Sequence, residues 1–156
     1  MSDADSITLT LTQVSDYEFR IRFDDTPVAD LLTDESPPIG RDAGPSPTRL
    51  LGAAIGSCLS LSLLFALRKY KNTPASIGAS VRVETARNAR GRLRVGRIAV
   101  DIRLPEAAAQ YAQIERLLAQ FEDFCAVTES VRAGVPVDVR VTDATSAVVH
   151  TSAVAA

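Results

Sequence analysis

The sequence predicts an α+β fold, with strands and helices in separate runs around one long helix. Three observations predict it. Apolar and polar residues alternate with the period of a half-buried strand over residues 7–12, 17–23, 77–85, 93–104 and 135–141. A long, mostly apolar stretch free of proline lies between Pro47 and Pro74. The resulting order is three strands, a long helix, two strands, two helices and one strand, which is blocked rather than alternating and so favours α+β over a doubly wound parallel sheet.

The first two alternating runs read as an antiparallel hairpin turning at Ser15-Asp16. Tyr17, Phe19, Ile21 and Phe23 share one face and Glu18, Arg20 and Arg22 the other, as in a sheet covered on one side. Asp24-Asp25-Thr26-Pro27 ends the hairpin, residues 28–32 are expected to add a short third strand, and residues 34–47, rich in Pro, Gly and Asp, form a loop. After the long helix and the break at Asn72-Thr73-Pro74, residues 77–85 and 93–104 make a second hairpin turning between Asn88 and Gly91. Pro105 opens a helix expected over 106–122, with Tyr111, Ile114, Leu117, Leu118 and Phe121 on one stripe. A shorter helix is expected over 124–132, carrying Cys125 in its first turn and stopping at Gly134, before a strand over 135–141. Residues 1–142 thus read as one domain, and 143–156, which hold the sole histidine, His150, as a tail expected to fray.

Bulk composition excludes several functions. The chain has 156 residues, 46% of them hydrophobic, with no tryptophan, so aliphatic side chains must fill its core. A net charge of −2 with both signs interspersed gives no footprint for nucleic acid or a membrane surface. The arginines Arg20, Arg22, Arg82 and Arg103 read as a solvated sheet face. Met1-Ser2-Asp3-Ala4-Asp5 has neither the basic nor the apolar region of a secretory signal, which points to the cytoplasm. The apolar run over 59–67 is broken by Ser60 and Ser62 and falls short of the roughly 20 residues that span a bilayer, so no membrane segment is expected. Two cysteines are too few for a Cys-only zinc site, and no metal or cofactor is called for. In a reducing compartment they read as free thiols or a redox pair.

The most informative stretch is Gly44-Pro45-Ser46-Pro47, which leads into the long helix and delivers Cys58 two to three turns along it. Pro47 suits the first helical turn with Ser46 as N-cap, and the helix is expected to run to about Lys71. At 100° per residue, Leu51, Ala54, Ile55, Leu61, Ser62 and Phe65 lie within about 70° of Cys58 on the wheel, which predicts an inward thiol. Ser57, Ser60 and Ser62 are expected to hydrogen-bond to the preceding turn.

Together, the run from Gly44 through Leu50, Leu51, Ala53, Gly56 and Cys58, and the run Phe121-Glu122-Asp123-Phe124-Cys125-Ala126-Val127-Thr128, resemble the OsmC/Ohr family over most of residues 17–142. The resemblance implies an intertwined homodimer in which long central helices are enclosed by antiparallel sheets from both chains. It also implies thiol chemistry: Cys58 attacked by a hydroperoxide, Cys125 resolving the sulfenic acid as a disulfide, and an external dithiol or lipoylated protein as reductant. One departure is plain. The family's peroxidases carry a glutamate where this chain has Thr48 and Arg49.

A peroxidatic cysteine must ionise, and burial on an apolar face opposes this unless a cation compensates. Arg49, nine residues back, is about 13.5 Å away on the opposite side of a straight helix. Arg41, in the loop feeding the helix, is therefore the first candidate. Cys125 has local help from a helix N-terminus, opposed by Glu122, Asp123 and Glu129. Free cysteines are most often small buried hydrophobes, so it is the paired motifs that favour redox function. The sequence thus reads as a cytoplasmic thiol-dependent hydroperoxide reductase using Cys58, Cys125 and Arg41. The alternative, motivated by Thr48 and Arg49, is a non-catalytic relative binding a small apolar or thiol-reactive molecule at the dimer interface.

Overall fold

In the computed structural model, which describes residues 6–153, each alternating stretch becomes a strand. The chain forms two compact units, Met1–Leu50 and Leu51–Ala156. In the first, β1 (Leu9–Ser15), β2 (Glu18–Phe23) and β3 (Leu31–Thr33) make an antiparallel sheet in that order. Asp16 turns the hairpin at φ 43°, a left-handed conformation that aspartate tolerates. The register aligns Leu11, Ile21 and Leu31 in one row, the apolar face expected from the alternation. The loop that follows is organised by Asp34, 2% exposed, whose carboxylate accepts the backbone N–H groups of Glu35, Arg41 and Ala43. Gly44 lies so close to β3 that a Cβ there would stand 2.0 Å from the carbonyl oxygen of Leu32, which no side chain tolerates.

Helix α1 (Pro47–Lys69) starts where the Ser46 cap predicts: Ser46 Oγ accepts the Arg49 N–H at 3.4 Å and its carbonyl the Leu50 N–H at 3.0 Å. Ser60 donates to the Gly56 carbonyl at 2.7 Å, as expected of a helical serine. With a mean hydropathy of 2.1 over an 18-residue window, α1 is long and apolar enough by length and composition to cross a membrane, contrary to the sequence expectation. The fold uses its apolar side chains as core. Ile55, Leu59, Leu63 and Leu67 are fully buried. That face is rotated from the predicted one: Leu61 and Phe65 are exposed, and Cys58 stands at the border, half-buried. The wheel shows that a helix is apolar nearly all round but not which side a sheet will cover. The glycines decide it. A Cβ on Gly52 or Gly56 would come within 2.7 or 2.5 Å of the Val83 or Val81 side chain, so these positions let the strand carrying those valines approach closely.

In the second unit, β4 (Gly78–Arg87), β5 (Leu93–Arg103), β6 (Val137–Thr142) and β7 (Val148–Ser152) form a sheet in chain order. The β5–β6 pairing is parallel, so this sheet is mixed where antiparallel sheets were expected. A parallel pair requires a crossover, and residues 104–136 supply it. Ile98, Val100, Ile102 and Val139 of the sheet join Ile55, Leu59 and Phe121 in one core.

Two further expectations are corrected. The tail expected to fray contains β7, which pairs antiparallel with β6. The helix expected over 106–122 is instead a 3-10 turn at Ala108–Gln110, a short α2 (Ile114–Leu118) and a second 3-10 turn at Phe121–Phe124. The break has a cause. Asn72, 8% exposed, donates Nδ2–H to the Ala112 carbonyl at 3.0 Å and accepts the Ala112 N–H at 2.7 Å, taking both peptide groups from a continuous helix. Gln113 then turns left-handed at φ 57°. Asn72→Ala would remove both hydrogen bonds to Ala112, at about 1–3 kcal/mol together. Urea unfolding should show that loss, and hydrogen exchange at Ala112 should accelerate.

Candidate active site

Cys58 and Cys125 meet within the second unit. Cys125 has no exposed surface and stands at the N-cap of α3 (Ala126–Arg132). Its N–H donates to the Glu122 carbonyl at 2.9 Å, its carbonyl accepts the Glu129 N–H at 3.0 Å, and its sulfur lies 3.0 Å from Thr128 Oγ1. Burial pushes the Cys125 thiol up, and the adjoining Cys58 thiol pushes it further, while hydrogen bonding with Thr128 offsets part of the rise. The expected help from the helix N-terminus does not prevail. Cys58 retains surface, so the pair is unequal: one thiol is reachable, the other buried and held as the thiol.

Behind Cys125 lies a cluster of polar side chains that the sequence reading left apart. Glu122 is 7% exposed, and its carboxylate accepts hydrogen bonds from the Arg132 guanidinium, from Ser152 Oγ at 2.8 Å and from His150 Nε2. Burial alone would raise its pKa, but the bonds from His150, Arg132 and Ser152 prevail and hold it at about 2. Arg132 also donates to Glu129 at 2.6 Å. Phe121, fully buried, meets the His150 ring edge-on, with centroids 5.3 Å apart. The charges of Glu122 and Glu129 are therefore compensated within the cluster rather than opposing ionisation of Cys125 openly.

Arg41, the predicted activating cation, is engaged in the first unit by an ion pair with Glu18, itself 4% exposed. That pairing holds the Arg41 guanidinium above its usual range. Arg49 pairs with Asp42 at 2.9 Å, so the position of the missing glutamate carries a cation already bound to a loop carboxylate.

Residues 40–140 match the family model described as OsmC-like protein. The chain belongs to the OsmC-like family. Solved structures show that it has the fold of that family. An OsmC-like protein of unknown function from Vibrio cholerae superposes with a TM-score of 0.74 at 17% identity, covering 88% of this chain and 99% of its own. An organic hydroperoxide resistance protein from Elizabethkingia anophelis gives 0.72 at 16% identity, covering 92% and 99%. The organic hydroperoxide resistance protein OhrB of Bacillus subtilis gives 0.65 at 17% identity, covering 88% and 98%. Among curated proteins there is no significant match.

In this OsmC-like protein no group of three His, Cys, Asp or Glu side chains among the described residues is arranged to hold a metal ion. The chemistry at hand is that of two thiols, a hydroxyl and a buried carboxylate with its donors. Sequence reasoning found the thiols through their flanking motifs. It missed the roles of Glu122, Arg132, His150 and Ser152, because His150 and Ser152 lie 28 and 30 positions from Glu122 and reach it only after β7 pairs into the sheet. The available hint was Glu122 itself, a charge beside Phe121 on an otherwise apolar stripe.

Proposed function

We propose that this protein is a cytoplasmic thiol-dependent reductase of organic hydroperoxides, in which Cys58 attacks and Cys125 resolves. The observation that carries this reading is the meeting of two free thiols of unequal exposure. The reachable Cys58 sulfur attacks the distal peroxide oxygen. The O–O bond breaks, the alcohol leaves with a proton, and Cys58 becomes a sulfenic acid. Cys125 then attacks that sulfur, the S–O bond breaks, and water leaves as the disulfide forms. An external dithiol, or a lipoylated protein, is oxidised in reopening it. Leu61 and Phe65, exposed on α1 beside Cys58 on the wheel, favour an organic peroxide over hydrogen peroxide. They also favour a second copy of this chain as the partner covering that helix, since it is apolar nearly all round.

The competing reading, a non-catalytic binder of a small apolar or thiol-reactive molecule, is favoured by Thr48 and Arg49 standing where the peroxidases carry an acid. One experiment separates the two. The reduced protein is treated with one equivalent of cumene hydroperoxide, quenched with an alkylating agent and mapped by mass spectrometry. The reductase reading expects a Cys58–Cys125 linked peptide and continued peroxide consumption once dithiothreitol is supplied. Two alkylated thiols and no consumption would overturn it in favour of the binder.

A further inference from the structure

We propose that Glu122 is a positioning residue that holds Cys125 in place to close the disulfide, with Arg132, His150 and Ser152 as the groups it grips. The inference rests on the reductase reading and deepens it. Helix α3 has seven residues, too few to be stable alone. Thr128 ties the Cys125 sulfur to this helix at 3.0 Å, so the place of Cys125 depends on what holds the helix as a whole. Glu122 holds it at both ends. Its carbonyl takes the Cys125 N–H at 2.9 Å, while its carboxylate takes the guanidinium of Arg132, the last residue of α3. The same carboxylate is anchored to β7 through His150 and Ser152, and β7 is hydrogen-bonded into the sheet. One residue thus joins, by its carbonyl, Cys125 and, by its carboxylate, the far end of the helix and a strand of the core sheet. A carboxylate this buried is tolerated only while its donors stay in place, so the arrangement resists distortion.

Disulfide closure is sensitive to such positioning. The Cys125 sulfur must approach the Cys58 sulfur in line with the S–O bond that breaks, and a misplacement of about 1 Å costs about 100-fold in rate. Oxidation of Cys58 by peroxide makes and breaks no bond to Cys125. Loosening the clamp should therefore slow the second step and spare the first.

The test uses the full chain in single turnover with cumene hydroperoxide, trapping Cys58 sulfenic acid with dimedone and following the disulfide by quenched mass mapping. In Glu122→Gln the sulfenic acid is expected at the wild-type rate, with closure at least about 10-fold slower. Under excess peroxide a larger share of Cys58 should proceed to sulfinic acid, because the intermediate waits longer. A merely structural lesion would not separate the two steps in this way. Ser152→Ala removes one of the three partners of the Glu122 carboxylate and keeps Arg132 and His150. Closure about 2- to 3-fold slower is expected there, on the scale of one lost hydrogen bond, so the test stands even if Glu122→Gln does not fold. Closure at the wild-type rate in whichever variant folds overturns the proposal. Absence of any sulfenic acid at Cys58 in the wild type would instead bring down the reductase reading, and this inference with it.

Discussion

Cys58→Ser is expected to abolish hydroperoxide turnover, by a factor on the order of 10,000, with the fold intact. The loss is large because a serine hydroxyl neither ionises near neutral pH nor stabilises an S–O product, and the remaining thiol is buried. Cys125 has no exposed surface and its pKa is raised by burial and by its neighbour, so it cannot take over the attack. The contrast with Cys125→Ser identifies the roles. Without a reductant, that variant should consume about one equivalent of peroxide per chain to form Cys58 sulfenic acid, and a further equivalent only as that acid is over-oxidised to sulfinic acid. Cumene hydroperoxide consumption with dithiothreitol as donor reads the first outcome, and the same peroxide without any thiol, followed by mass analysis, reads the second, because dithiothreitol reduces a sulfenic acid directly. Equal turnover in Cys58→Ser and wild type would remove Cys58 from the mechanism.

The second large effect concerns stability in acid. Glu122 has an ordinary pKa of 4.5, and in the folded protein the bonds from His150, Arg132 and Ser152 outweigh burial and hold it at about 2. Because the folded value is the lower one, the contribution is fully present above about pH 4.5 and is lost as pH falls from there toward about 2. Its size is on the order of 3 kcal/mol, a sizeable part of the 5–15 kcal/mol that stabilises a typical domain. Asp34, Asp42 and Asp143 are also held below their usual range by hydrogen bonds, so acid unfolding of the wild type sums several groups. Glu122→Gln isolates one of them. Urea unfolding between pH 2 and pH 6 should show the variant less stable than wild type at pH 6, with the gap narrowing as pH falls. A gap independent of pH would show that the Glu122 charge does not stabilise the fold.

Local features were legible wherever the cause is local. The Ser46 cap and Pro47 start of α1, the alternation of both hairpins and the Asp16 turn each follow from the backbone preferences of a few adjacent residues. The two cysteines were legible for a different reason: their flanking motifs resemble those of the OsmC-like family, which residues 40–140 match. Where a helical stripe competed with a distant partner, the local signal lost. Tyr111, Ile114 and Leu118 share a stripe, yet Asn72, forty positions earlier, takes the peptide groups of Ala112 and the helix breaks.

By itself, then, the sequence determined the α+β class, the order of elements through β6, the placement of the long helix and the identity of the two thiols. Periodicity and capping are short-range properties of φ, ψ and side-chain burial, and they survive without knowledge of the partner surface. Only the tertiary structure decided which side of α1 is buried, that β6 runs parallel to β5, and that β7 exists at all. It also decided that Glu122, Arg132, His150 and Ser152 form one cluster behind Cys125. The reason is physical: those groups lie up to 30 positions apart, and closing such a loop is favourable only when the sheet and core have already brought its ends together.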